Sequence, residues 1–253
     1  MPEERALSVM IWPLVSQFFA IAVVMSIKPS PIVELEASES LSLSILYVAI
    51  VLAFASFMVY LIRKGRRVVI KSMIFIFLVY SAFLSLDTLI SSYIQINPIF
   101  EIALSIIIAL LSFRTDLMGN FAKSFLAASM AFLFIYFFND TFVYFLLTLL
   151  SIYDAYSVFR GPLSKLFSVS EDVLSPLSLF QGGVSMGLGD VFCYSMASAT
   201  SFRSLHFLAV VPVASLNVGI IATLIILRRS RRPLPGLTIP IFMWLIPQIL
   251  LSL

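Results

Sequence analysis

The chain has 253 residues, of which 61% are hydrophobic and only 11% charged, against roughly 45–50% and about 25% in an ordinary soluble domain. That composition excludes a soluble domain and describes a membrane protein, whose length has room for nine spans of ~20 residues each. A single cysteine, Cys193, excludes a disulfide framework, and a single histidine, His206, excludes the usual His and Cys zinc cages. The net charge of +3 comes from short basic clusters between apolar runs, which argues for orientation in a bilayer and against nucleic acid.

Nine apolar stretches follow one another: residues 6–27, 41–62, 72–93, 98–113, 121–138, 141–159, 182–202, 205–227 and 236–253. The first, behind Met1-Pro2-Glu3-Glu4-Arg5, is too long for a signal-peptide core and has no small-residue cleavage site after it, so it is expected to stay. The fourth is short for a span, and the third-to-fourth and fifth-to-sixth connections are tight enough to imply helical hairpins. The longest connection, 160–181, is partly apolar. The expected organisation is one all-α membrane domain over 1–253. Helices one to six occupy 1–160, a cytoplasmic loop occupies 161–181, and helices seven to nine occupy 182–253.

Lys and Arg are retained on the cytoplasmic side of short loops, so the loop charges test this count. With the N-terminus inside, the cytoplasmic segments carry Arg5, then Arg63, Lys64, Arg66, Arg67 and Lys71, then Arg114 and Lys123, then Arg160 and Lys165, then Arg228, Arg229, Arg231 and Arg232. Only Lys28 and Arg203 of the 16 basic residues fall on the other side. The expectation is therefore a cytoplasmic N-terminus and an external C-terminus.

A carboxylate in hydrocarbon is costly and marks function by default. Four fall in the expected spans: Asp87, Glu101, Asp154 and Asp190. Asp87 and Glu101 lie toward outer helix ends, where solvation or capping suffices. Asp154 is six residues before Arg160, ~9 Å from the inner end of span six, and Asp190 is eight residues into span seven, ~12 Å deep from the same side. Two carboxyls matched in depth on antiparallel neighbours are what an aspartic protease pair needs. An interhelical hydrogen bond or an ion path is the alternative use.

The local sequences sharpen this. Tyr153-Asp154, Gly187-Leu188-Gly189-Asp190 and, later, Pro233-Leu234-Pro235-Gly236-Leu237 resemble the Tyr-Asp, Gly-x-Gly-Asp and Pro-Ala-Leu motifs of the presenilin and signal peptide peptidase family of intramembrane aspartyl proteases, with glycine in the alanine place. The resemblance covers spans six, seven and nine in order, and nine spans agree with the family fold. It implies an intramembrane endopeptidase in which Asp154 and Asp190 are catalytic and use an activated water without metal or cofactor. The Pro235-Gly236-Leu237 segment would pack beside them, and the partner would be a transmembrane protein or peptide.

Neighbouring residues carry two readings each. Gly187 and Gly189 permit close approach of a substrate backbone, or Gly187 forms a helix-packing Gly-x-x-x-Gly pair with Gly183. Leu188 sits between them in the same segment, with a substrate-binding role implied by the resemblance. Tyr153 orients substrate, or packs as an amphipathic side chain. Pro233 and Pro235 present free backbone, or simply stop helix nine at its N-terminus. A helical substrate must unwind before cleavage, and an enzyme strand would then take up its exposed amides by edge addition. The 160–181 loop is the expected gripping or gating element.

This loop is far shorter than the one at which animal presenilins cleave themselves, so a single uncut chain is expected. With no large external loop for subunits, the pattern favours a compact microbial, archaeal homologue in a prokaryotic membrane, acting without obligatory partner subunits. Signal peptide peptidases resemble the same motifs with opposite topology. Prepilin peptidases share Gly-x-Gly-Asp but have fewer spans and no terminal proline motif. Gly183-Val184-Ser185-Met186-Gly187 formally matches a serine-hydrolase elbow, but it needs a histidine base, and His206 is expected at the opposite membrane face. A transporter or leak channel lined by the two aspartates is the other functional class, weakened because few other polar residues are expected along these helices.

Overall fold

The computed structural model describes residues 8–91, 97–160, 175–181, 184–230 and 234–252. Among these, nine α-helices follow in chain order: α1 Ile11–Ile27, α2 Ala37–Arg63, α3 Arg67–Ser91, α4 Pro98–Ser112, α5 Leu117–Phe137, α6 Asp140–Arg160, α7 Leu188–Leu205, α8 Val210–Ser230 and α9 Thr238–Ser252. Short 3-10 turns at Ser8–Met10, Ser175–Leu177 and His206–Ala209 complete the helical part. Among the described residues, six stretches are long and apolar enough to cross a bilayer, one of which, Leu188–Leu227, is made of α7 and most of α8. The helices α4 and α9 have 15 residues each, a length of ~22 Å.

Local chemistry explains several boundaries. The helix α2 begins in a capping box, where the Glu39 carboxylate accepts from the Glu36 N–H at 3.1 Å. Asn97 caps α4 by accepting from the Ile99 N–H at 3.0 Å, with Pro98 in the first turn. Asp116 caps α5 through the Gly119 N–H at 3.0 Å. Gly65, at φ 69°, turns the chain between α2 and α3. Large apolar side chains such as Phe18, Ile76 and Ile246 face outward, as a surface solvated by lipid requires.

The helix α7 is the hub. Its residues Cys193 to Ser201 are buried all round, and it packs on α1, α5, α6, α8 and α9. Its many Ala and Ser side chains let neighbouring backbones come close. The α8–α9 pair is tighter still, for a Cβ at Gly219 would lie 2.6 Å from the Pro240 Cα. Contrary to the expectation of few polar residues, two buried polar clusters lie along this hub. Gln17 of α1 and Asn217 of α8 exchange amide hydrogen bonds at 3.1 Å, and Ser198 donates to Gln17 at 3.0 Å. Gln248 of α9 joins Ser201, Ser204 and Tyr144 at 2.7–3.0 Å. These groups satisfy one another, so they fasten helices together.

Three expectations are corrected. Span seven does not start at 182: Val184–Gly187 is a strand, β2, paired antiparallel with β1, Ser178–Gln181, in the register Ser178↔Gly187 to Gln181↔Val184. A short apolar run next to a helix has no period that distinguishes strand from helix. Gly187 is consequently the N-cap of α7 and no part of a helical Gly-x-x-x-Gly face; its proposed partner Gly183 lies outside the described residues. Of the two acids expected to be solvated or capped at helix ends, Asp87 is exposed and Glu101 is buried at 5% exposure in the first turn of α4, where the helix N-terminus favours its charge. Lys123, counted among loop charges, is 0% exposed within α5. Pro233 and residues 161–174 of the expected gripping loop lie outside the described residues.

Candidate active site

Asp154 lies on α6, six residues before its last residue, Arg160. Asp190 is the third residue of α7, so it is not eight residues into a helix as the spacing suggested. Its position follows from the strand-to-helix junction: β2 ends at Gly187, whose extended backbone (φ −67°, ψ 139°) caps α7. The Asp190 carboxylate folds back toward that cap, and a Cβ at Gly187 would lie 3.3 Å from its Oδ2.

One segment touches both acids. The Leu237 N–H donates to Asp154 Oδ2 at 2.8 Å, and a Cβ added to the preceding Gly236 would lie 2.5 Å from Asp190 Oδ2. Through standard bond lengths these two contacts hold the carboxylates within about 10 Å of each other. Gly236 is kept in place by Tyr194, which donates from its hydroxyl to the Gly236 carbonyl at 2.7 Å. Thr238 at the start of α9 donates to the Ser151 carbonyl of α6 at 3.2 Å. The Pro235-Gly236-Leu237 turn is thereby a bridge between α6 and α7, with both acids on it.

The remaining candidates divide by accessibility. Pro235, Leu188 and Leu237 are buried, and the two leucines belong to the hydrophobic core. Tyr153 is half-buried. Gly189 is exposed, and a Cβ there would meet nothing within 4 Å, which leaves room directly beside Asp190. Ser185 in β2 and His206 are separated by the 18 residues of α7, ~27 Å along its axis, too far for a nucleophile and its base. Among the described residues no group of three or more His, Cys, Asp and Glu side chains converges to hold a metal ion.

Two functional features escaped the sequence reading. Tyr194 stands four residues after Asp190, one turn along the same helical face, which was the available signal. The hairpin was signalled by Gly182-Gly183 between two short runs, a pairing typical of two-residue loops.

The family model described as signal-peptide peptidase, presenilin aspartyl protease matches residues 10–177, a range that includes Asp154 and ends before Asp190. Two solved structures of a presenilin family intramembrane aspartate protease share the fold. One, in space group C222, has a TM-score of 0.72 at 19% identity, covering 98% of this chain and 98% of that chain. The other, in space group P2, has a TM-score of 0.64 at 23% identity, covering 96% and 97%. No curated protein matches the chain. With well over half of its length matched by that family model and with a multi-pass helical fold to suit, the chain belongs to the signal-peptide peptidase and presenilin family of aspartyl proteases, which makes it a membrane-embedded hydrolase.

Proposed function

We propose that Asp154 and Asp190 are the catalytic pair of an endopeptidase that hydrolyses peptide bonds within membrane-spanning helices of other proteins. The observation that carries this reading is the shared contact of both carboxylates with the adjacent residues Gly236 and Leu237. Two carboxyls held together do not both ionise readily, so the pair shares a proton and titrates as a unit. The ionised member takes a proton from a water molecule as that water attacks the scissile carbon. The protonated member donates a hydrogen bond to the carbonyl oxygen, and the tetrahedral intermediate then collapses with a proton passed to the leaving nitrogen. These steps require no covalent adduct and no cofactor.

The unwound substrate adds as a strand to the open edge of β2, which leads straight through Leu188 and Gly189 to Asp190. The open space at Gly189 leaves a path for its backbone, and half-buried Tyr153, the residue before Asp154 on α6, orients the substrate. The chain forms one domain of nine spans with α4 and α9 as short members, the N-terminus cytoplasmic and the C-terminus external. The acids then lie toward the inner leaflet of a prokaryotic, archaeal membrane, and the protein works as a single uncut chain without partner subunits. The test uses purified protein in detergent with a transmembrane peptide: Asp154→Asn and Asp190→Asn each abolish cleavage while the fold persists. Cleavage retained by either variant overturns the assignment.

A further inference from the structure

We propose that Lys123 and Asn120 of α5 are positioning residues that set the register at which a substrate strand meets the two aspartates, and this rests on the proteolytic reading above. Lys123 is 0% exposed, and its ammonium group makes no ion pair among the described residues. It donates instead to three backbone carbonyls: Arg114 at 3.1 Å, Ser175 at 3.0 Å and Ser178 at 2.8 Å. Three donors meet three acceptors, so the group is fully satisfied. A buried ammonium neutralised only by carbonyl dipoles is an expensive fastener within a bilayer. Two of its acceptors belong to the turn before β1 and to the first residue of β1 itself, so the fastener acts on the hairpin.

Asn120, one turn earlier on α5 and 1% exposed, continues the attachment. Its Nδ2 donates to the Phe180 carbonyl at 2.9 Å, and its Oδ1 accepts from the Phe180 N–H at 3.4 Å. A single side chain thus imitates a neighbouring strand. At the far end of β1, Trp12 of α1 donates from Nε1 to the Gln181 side chain. The outward-pointing carbonyl of Ser178 and both backbone groups of Phe180 are therefore taken by side chains of α5.

This attachment fixes the hairpin's geometry. Because the N–H and C=O of Phe180 point to Asn120, the Phe180↔Ser185 pair is a non-hydrogen-bonded pair of the antiparallel ladder. The N–H and C=O of Ser185 accordingly point away from β1, to the side where an incoming strand would lie, and Ser185 is exposed. Only Met186 to Gly189 separate this residue from Asp190. A strand seated on β2 is thus indexed to Asp190 by backbone, and β2 is indexed to α5 by Lys123 and Asn120. Slippage by one residue moves a strand by ~3.3 Å and turns its side chains to the opposite face, so a loosened hairpin presents bonds two residues away, with the same facing.

The experiment reads product termini by mass spectrometry from one transmembrane peptide cleaved by wild type, Lys123→Met, Lys123→Arg, Asn120→Ala and Asn120→Asp, with thermal melts in parallel. Lys123→Met and Asn120→Ala are expected to raise the share of products cut two residues from the main site roughly tenfold, as for the loss of a charge-assisted or paired hydrogen bond. Lys123→Arg, which keeps donors and charge, restores part of the wild-type pattern. The Asn120 variants keep the question open to refutation if Lys123→Met does not fold. Identical termini in the folded variants, with rates falling only as stability falls, overturn the positioning role and leave the proteolytic reading standing. A wild type that cleaves nothing overturns that reading instead.

Discussion

Replacing Gly236 by alanine moves the Pro235-Gly236-Leu237 segment toward the Pro-Ala-Leu pattern it resembles, and on that resemblance alone would be harmless. The structure gives the opposite sign. The added methyl would stand 2.5 Å from Asp190 Oδ2, 2.9 Å from its Cγ and 3.3 Å from Oδ1. Carbon and oxygen need roughly 3.5 Å, so the carboxylate or the turn must retreat by about 1 Å. A displacement of that size in a reacting geometry costs about a hundredfold in rate. Folding is not expected to suffer, because Gly236 has no positive φ and alanine reduces the freedom of the unfolded chain by about 0.4–1 kcal/mol. The assay is the initial cleavage rate of a fluorogenic transmembrane peptide in detergent over a range of substrate concentrations, with Tm measured on the same samples. The expected outcome is a kcat about a hundredfold lower with KM and Tm close to wild type. A wild-type kcat would refute the close packing of Gly236 on Asp190 as a determinant of activity.

Tyr194→Phe removes the hydroxyl that binds the Gly236 carbonyl and leaves that part-buried acceptor without its donor, a loss of about 0.5–1.5 kcal/mol. Tm and cleavage rate should both fall, and an unchanged Tm would show that the turn is held by other means. At the start of α5, the Arg114 side chain and then the Gly119 N–H hold the Asp116 carboxyl below its ordinary value of 3.8. A lowered folded pKa means that its contribution is present above the unfolded value and is lost as pH falls through the folded one. Asp116→Asn keeps a capping oxygen but does not titrate there. The Tm difference between wild type and this variant should hold from about pH 6 to about pH 4 and shrink below it; a difference that grows on acidification would contradict the sign.

The helices were legible because each is a run of apolar residues bounded by charges or turn residues, and lipid contact leaves little choice of partner for such a run. Asp154 and Asp190 were legible for the same reason, as rare charges in hydrocarbon. What escaped was decided by distant partners. Lys123 reads as a loop cation until Ser175 and Ser178, more than 50 residues away, supply its carbonyls. Val184 to Gly187 read as the start of a helix because their alternation is too short to measure, and only the pairing with Ser178–Gln181 makes them strand. The depth argument for Asp190 does not hold as counted: Asp190 is the third residue of α7, and what brings it near Asp154 is the end of β2 and the turn at Gly236.

The pairing of Gln17 with Asn217 has a consequence for how the molecule is made. The two residues are 200 positions apart, and a ribosome adding about 5–20 residues per second needs roughly 10–40 s to cover that distance. During this interval the amide of Gln17 is in the membrane without its eventual partner. The N-terminal helix packs chiefly on α5 and α7, so it can dock before α8 is made, and the late arrival of Asn217 is the step that closes its polar contact. A halt in synthesis before α8 should leave α1 docked but its Gln17 amide short of that partner.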